Sequence, residues 1–204
     1  MRRLKSMVLV VACLFVSYFS HAQSKVGIRA GVLITKQQYD QGNLDVNPES
    51  KFGADIALVA DIGLDADSVV FFSPEFHWMQ KGAKIEDLDG TFEEATRTFN
   101  YFELPLLLKF KFGGEAGLFL FGGPSLGYLF SATDKDGDGN TNDIDLDDYK
   151  RTELGAHIGG GIMLGPVNID VRYILGFSNI ADLEDDDDLT IKNKGFGAGV
   201  SIMF

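Results

Sequence analysis

Cysteine is nearly absent: the 204 residues hold one, Cys13, inside an apolar N-terminal run. Tryptophan also occurs once, at Trp78, and there are only 5 Pro. Positive charge is scarce, with Lys+Arg 18 against Asp+Glu 30 and a net charge of −12. A nucleic-acid partner, which needs a surplus of cations against phosphate, is therefore excluded. Beyond residue 22 no apolar run reaches the ~18–20 residues that a membrane-spanning helix requires. A hydrophobic fraction of 45% argues equally against a disordered chain. What is abundant is Gly (24) and Phe (17), a combination that suits crowded, bent strands.

Residues 1–22 read as a secretory signal. Arg2, Arg3 and Lys5 form a charged start, Met7 to Phe19 an apolar stretch, and Ser20-His21-Ala22 a small-x-small cleavage site. Cleavage there removes three basic residues and no acidic one, leaving 15 Lys+Arg against 30 Asp+Glu, a net −15. It also removes Cys13, so residues 23–204 are expected to hold no disulfide, thiol chemistry or Cys-ligated metal.

The rest alternates with period two, the pattern of strands. Segment 96–112 places Phe102, Leu104, Leu106, Leu108, Phe110 and Phe112 on one face and Glu103, Lys109 and Lys111 on the other. Segments 25–36, 51–64, 68–83, 116–130, 150–164, 166–177 and 193–204 behave alike. Their connections alternate between short and long. The short ones are 65–67, 113–115 and the Gly165-Pro166 turn; the long ones are 37–50, 84–95, 131–149 and 178–192. This spacing predicts an all-β fold, an eight-stranded antiparallel up-and-down β-barrel with tight turns at one end and long polar loops at the other.

Two such barrels exist. A soluble one turns its apolar face inward around a ligand; a transmembrane one turns it outward into lipid. The polar face here carries Arg29, Asp55, Asp61, Glu75, His77, Glu103, Lys109, Lys111, Glu153, His157, Asp170 and Arg172. Mixed signs suit an interior that must neutralise itself, and Gly27, Gly31, Gly159 and Gly161 make room in a narrow lumen. The membrane form is therefore expected, with Tyr39, Trp78, Tyr101, Tyr128, Phe130, Tyr149 and Tyr173 as an interfacial belt. The final strand, ending on Phe204, suits recognition by the barrel-assembly machinery.

The stretch Asn100-Tyr101-Phe102-Glu103-Leu104-Pro105-Leu106-Leu107-Leu108-Lys109-Phe110-Lys111-Phe112 resembles the fourth-strand motif of the PorT-like outer-membrane β-barrel ("porin") family of Bacteroidetes. Lys25 to Gly31, Phe121 to Tyr128 and Gly197 to Phe204 are similar to it as well. The resemblance implies a bacterial outer-membrane location, with outer-membrane lipid and lipopolysaccharide as surroundings; it names no role or protein partner. Termini in the periplasm and long loops outside are the expected orientation.

Three further expectations concern chemistry. Pro105 is expected to mark a bulge, with Glu103 beside it paired to Arg29, Lys109 or Arg172. His77 and His157 are expected near Glu75 and Glu153 as lumen packing; no nucleophile motif accompanies them, so no enzymatic activity is expected. Residues 134–145 match a calcium-loop pattern through Asp134, Asp136, Asp138 and Gly139, with Asn140 offering a carbonyl and Asp145 standing where a Glu is usual. Ca²⁺ is thus the one candidate ligand, against a plain solvated acidic loop. With the run Glu184 to Asp188, this loop makes one rim strongly negative. The expected role is structural or surface-interacting; a cation-dependent adhesive surface and a narrow channel are the alternatives.

Overall fold

The computed structural model describes residues 24–40, 49–67, 69–85, 95–114, 116–136, 140–146, 149–180 and 190–204. The expected signal at 1–22, Cys13, Asp138 and the run 184–188 lie outside these residues.

Nine strands follow in order: β1 (Lys25–Asp40), β2 (Glu49–Gly63), β3 (Val70–Ile85), β4 (Ala95–Gly113), β5 (Ala116–Asp136), β6 (Thr141–Asp143), β7 (Thr152–Leu164), β8 (Val167–Gly176) and β9 (Thr190–Met203). Eight of them run β4-β3-β2-β1-β9-β8-β7-β5, and β4 pairs with β5 to close the barrel. Every pairing is antiparallel, and β6 is a short flap hydrogen-bonded to the far end of β5. The alternation therefore places all eight wall strands. It does not place β6, because 131–149 reads as loop throughout, whereas residues 131–136 extend β5 and Thr141–Asp143 fold back on it.

The stagger of the barrel follows from its register. One way round, Arg29 leads to Ala57, His77, Glu103, Gly127 and then Glu153 on β7. The other way it leads to Ser201, Asn168 and then Met163 on β7. The two paths meet on β7 ten residues apart, at 153 and 163. With a rise of about 3.3 Å per residue and about 4.8 Å between strands, that stagger tilts eight strands by roughly 40°, within the usual range for closed barrels. Each residue then climbs about 2.5 Å along the axis, so Phe102 to Phe112 covers about 25 Å, the height of a membrane band. All six outward side chains of that stretch are exposed, as are Ile28, Val32, Leu58, Leu120, Ile158, Val171 and Phe196 on other strands. Phe76, Phe102 and Phe130 stack on one another across the outer face of β3, β4 and β5.

Pro105 makes no bulge. The β4–β5 register is unchanged from Glu103 to Lys109, and the shift falls at Asn100/Tyr101 instead. Proline fits there without a register change because it lacks only a donor; Pro74 on β3 and Pro124 on β5 also sit within ladders. The turns are tight. Gly113 and Gly165 take positive φ (95° and 62°), and Asp65 accepts hydrogen bonds from the backbone amides of Val69 and Val70. Those bonds hold the exposed Asp65 carboxyl below its ordinary value, that of Val70 contributing most.

Candidate functional site: the filled lumen

The inward face buries five cations, Arg29, Lys51, Lys81, Lys109 and Arg172, and six carboxylates, Asp55, Asp61, Glu75, Glu103, Glu153 and Asp170. The interior is thus nearly balanced, and almost all of the chain's net charge of −12 resides elsewhere. Buried ions cost several kcal/mol each unless they are paired, and here the pairing is extensive.

At mid-height six side chains from four strands, β1, β2, β3 and β8, form a closed ring. The Arg29 fork donates to Asp170, Nε to Oδ1 at 2.8 Å and Nη2 to Oδ2 at 2.9 Å, and Arg29 Nη1 donates to Asp55. Asp55 Oδ1 lies 2.6 Å from His77 Nδ1, and His77 Nε2 lies 2.7 Å from Glu75 Oε2. Glu75 accepts from Arg172 Nη1 at 2.7 Å, and Arg172 Nε closes the ring on Asp170 at 3.1 Å. Each nitrogen of His77 faces a carboxylate oxygen, so both contacts require a hydrogen between them. Arg172 also stacks over Phe121 at 5.0 Å. Glycine makes space for these heads: a Cβ on Gly199 would strike the Arg29 guanidinium, and one on Gly159 would lie 2.6 Å from Phe121 Cζ.

Towards the loop end lies a second cluster. Lys81 Nζ reaches Glu103 at 2.7 Å and Glu153 at 3.2 Å, and stands 4.8 Å from the centre of the Tyr101 ring. His157 Nε2 lies 2.9 Å from Glu103 Oε1. Asn193 donates to Glu153 and Tyr101. Above it, Phe99, Tyr101, Leu129 and Ala132 pack against Ile144, Leu146 and Tyr149, and Ile180 is fully buried. This apolar lid continues the plug to the mouth. Towards the turn end, Asp61 bridges Lys109 at 2.7 Å and Lys111 at 2.8 Å. Between ring and turn-end cluster, beside Arg29, Lys109 and Phe119, a void of about 10 Å³ remains, room for about one water.

The sequence places the right residues inside but mispairs them. Glu103 meets Lys81 and His157, not Arg29, Lys109 or Arg172, because Arg29 and Arg172 are held in the ring and Lys109 by Asp61 at another level. His77 does meet Glu75, but His157 pairs with Glu103 rather than Glu153. Tyr101 is buried in the lumen and Tyr149 packs edge-on against Phe99, so neither belongs to an outer belt. Tyr128 is exposed on the outer face as expected; the Tyr39 side chain lies outside the described residues. Lys81, Lys51 and Asn193 are lumen residues that sequence reasoning missed. Carrying the parity of Glu75 and His77 on through Met79 identifies Lys81.

Of the calcium-pattern residues, Asp134 and Asp136 lie at the end of β5 and Asn140 just before β6. Asp134 stands across from Asn142 and pairs with Arg97 at 3.4 Å. Asp136 accepts from the Asn140 backbone amide at 2.7 Å and from its side chain at 3.2 Å. Asp145 is exposed beyond the hairpin. Among the described residues no group of three His, Cys, Asp or Glu is arranged to hold a metal.

In fold the chain is similar to several outer-membrane proteins. Neisserial surface protein A is 14% identical, with a TM-score of 0.48, 88% of this chain and 97% of that one covered. A major outer membrane protein from Thermus thermophilus is 14% identical, with a TM-score of 0.49, 89% and 99% covered. Ail, the attachment invasion locus protein of Yersinia pestis, is 17% identical, with a TM-score of 0.41, 88% and 99% covered. No curated protein matches the sequence. The sequence model of the outer membrane protein beta-barrel domain, however, matches residues 20–182. The apolar exterior, the self-neutralising interior and this match agree: the chain belongs to the outer membrane protein beta-barrel domain family and is a protein of the bacterial outer membrane.

Proposed function

We propose that this protein is a non-enzymatic envelope barrel that acts through its long loops rather than through its lumen. The observation carrying this reading is the closed ring of Arg29, Asp55, His77, Glu75, Arg172 and Asp170, each member bound on two sides. A lumen filled in this way leaves no path for solutes among the described residues. Its two histidine–carboxylate couples are sealed, with His77 and His157 at 0% and 1% exposure, so they support packing better than acid–base turnover. The loops are what remains to meet other molecules.

In this reading the termini and the turns at 64–69, 113–115 and 165–166 face the periplasm, and the four long connections face outward among lipopolysaccharide. The alternating β9, running to Phe204, is the strand offered to the assembly machinery. The finer likeness to PorT-like barrels rests on the motif 100–112 and assigns no role. Two measurements test the proposal. Planar-bilayer recordings of the refolded barrel are expected to show no steady conductance, and a steady large conductance refutes the filled lumen. Deleting the acidic run Glu184 to Asp188 from the connection 178–192 is expected to leave a folded barrel and change cell-surface binding or envelope integrity. Unchanged binding and integrity with every long loop shortened in turn refutes the loop-based role.

A further inference from the structure

At the turn end the barrel opens into a vestibule of about 700 Å³, within the size range of small-molecule sites. Its apolar lining includes the buried Phe71, Met163 and Met203, and two lysines, Lys25 and Lys111, line it as well. Lys111 Nζ sits 3.8 Å from the centre of the Phe71 ring, at the boundary between water and the apolar floor. Its carboxylate partner, Asp61, is shared with Lys109, so the charge of Lys111 is only partly offset. Asp67 and Phe204 complete the rim. The ring above closes the lumen, so the vestibule is a blind pocket rather than the entrance of a pore.

An apolar floor beside lysines whose charge is only partly offset suits an anionic head on a short apolar chain. We propose that this vestibule binds a single-chain amphiphilic carboxylate. Lys111 and Lys25 receive the carboxylate, and the chain lies on Phe71, Met163 and Met203. The site is separate from the loops and goes beyond the role assigned to them.

Methionine provides the probe. Residues 23–204 contain three, Met79, Met163 and Met203; the last two line the vestibule, while Met79 packs with Leu33 and Ile174 elsewhere in the lumen. The barrel carrying ¹³C-methyl methionine, held in phospholipid nanodiscs, is titrated with octanoate, octanol and acetate. Octanoate is expected to move the Met163 and Met203 signals saturably and leave Met79 in place. Octanol, lacking charge, is expected to bind about tenfold more weakly, the loss of a charged hydrogen bond, and acetate, lacking the chain, at least about a hundredfold more weakly, the loss of several buried methylenes. Lys111→Gln is expected to weaken octanoate about tenfold. Lys25→Gln, a rim change that leaves the Asp61 contacts intact, is expected to weaken it severalfold and carries the test if Lys111→Gln does not fold. Octanol or acetate binding as tightly as octanoate overturns the proposal. So do unsaturable shifts in all three methyls, which report partition into the bilayer, or unaltered affinity in Lys25→Gln together with any folded Lys111→Gln.

Discussion

Replacing Arg172 by Met tests whether the ring locks the barrel. The two side chains are of similar length, so the change removes charge and hydrogen bonds with little change of volume. It deletes the 2.7 Å bond to Glu75, the 3.1 Å bond to Asp170 and the stacking on Phe121. Breaking a buried ion pair from one side costs about 3–5 kcal/mol, since a charge is left without its partner. Here the cushioning is specific: Asp170 keeps the two-pronged Arg29 and Glu75 keeps His77. The expected loss is therefore near the lower limit, about 3 kcal/mol. Adding Glu75→Gln, which removes the stranded charge while keeping its shape, is expected to recover about half of that. Trp78, the only tryptophan, is partly exposed on β3 next to His77, so its fluorescence follows unfolding in urea directly. A loss below about 1 kcal/mol, or a double variant less stable than Arg172→Met alone, would refute the view that the ring's mutual neutralisation holds the lumen together.

Three other perturbations probe different layers. Leu106→Arg, in the middle of the outward face of β4, is expected to cost about 2–4 kcal/mol in bilayers; equal stability in vesicles would mean that this face does not meet hydrocarbon. Asp65, whose carboxyl is held low by backbone amides led by Val70, contributes stability that is fully present above the ordinary unfolded value of about 3.9. It is lost as pH falls through the lower folded value. Thermal melts from about pH 6 to about pH 2 should therefore show a smaller acid decline in Asp65→Asn, and identical profiles would remove the turn's role. The calcium reading of Asp134, Asp136, Asp138, Asn140 and Asp145 requires that millimolar Ca²⁺ raise the melting temperature. The rise should be greater in Arg97→Ala, where Asp134 loses its cationic partner; no rise in either protein ends that reading.

The order of what was legible follows from the range of each interaction. Alternation is set by the strand itself, since successive side chains point to opposite faces. Phe102 to Phe112 and Glu103 to Lys111 could thus be assigned to the two sides without knowing their neighbours. Turn chemistry is likewise local, as Gly165-Pro166 shows. The β6 flap was illegible because Thr141–Asp143 is three polar residues with no apolar periodicity; only its pairing with β5 defines it. Tyr101 was misplaced for the opposite reason. Aromatics near strand ends usually mark the interface, yet its parity, shared with Phe99 and Glu103, points it inward.

The amino-acid order alone determined that there are eight crossing strands, which face of each meets lipid, and that the interior must neutralise its own charge. Closure decided the rest. Glu103 and His157 lie 54 residues apart, and Arg29 and Asp170 lie 141 residues apart. They meet only because a stagger of ten around the cylinder brings particular rows to one height. A pattern of period two carries no information about that stagger, so the ring, the apolar lid and the blind vestibule belong to the tertiary structure.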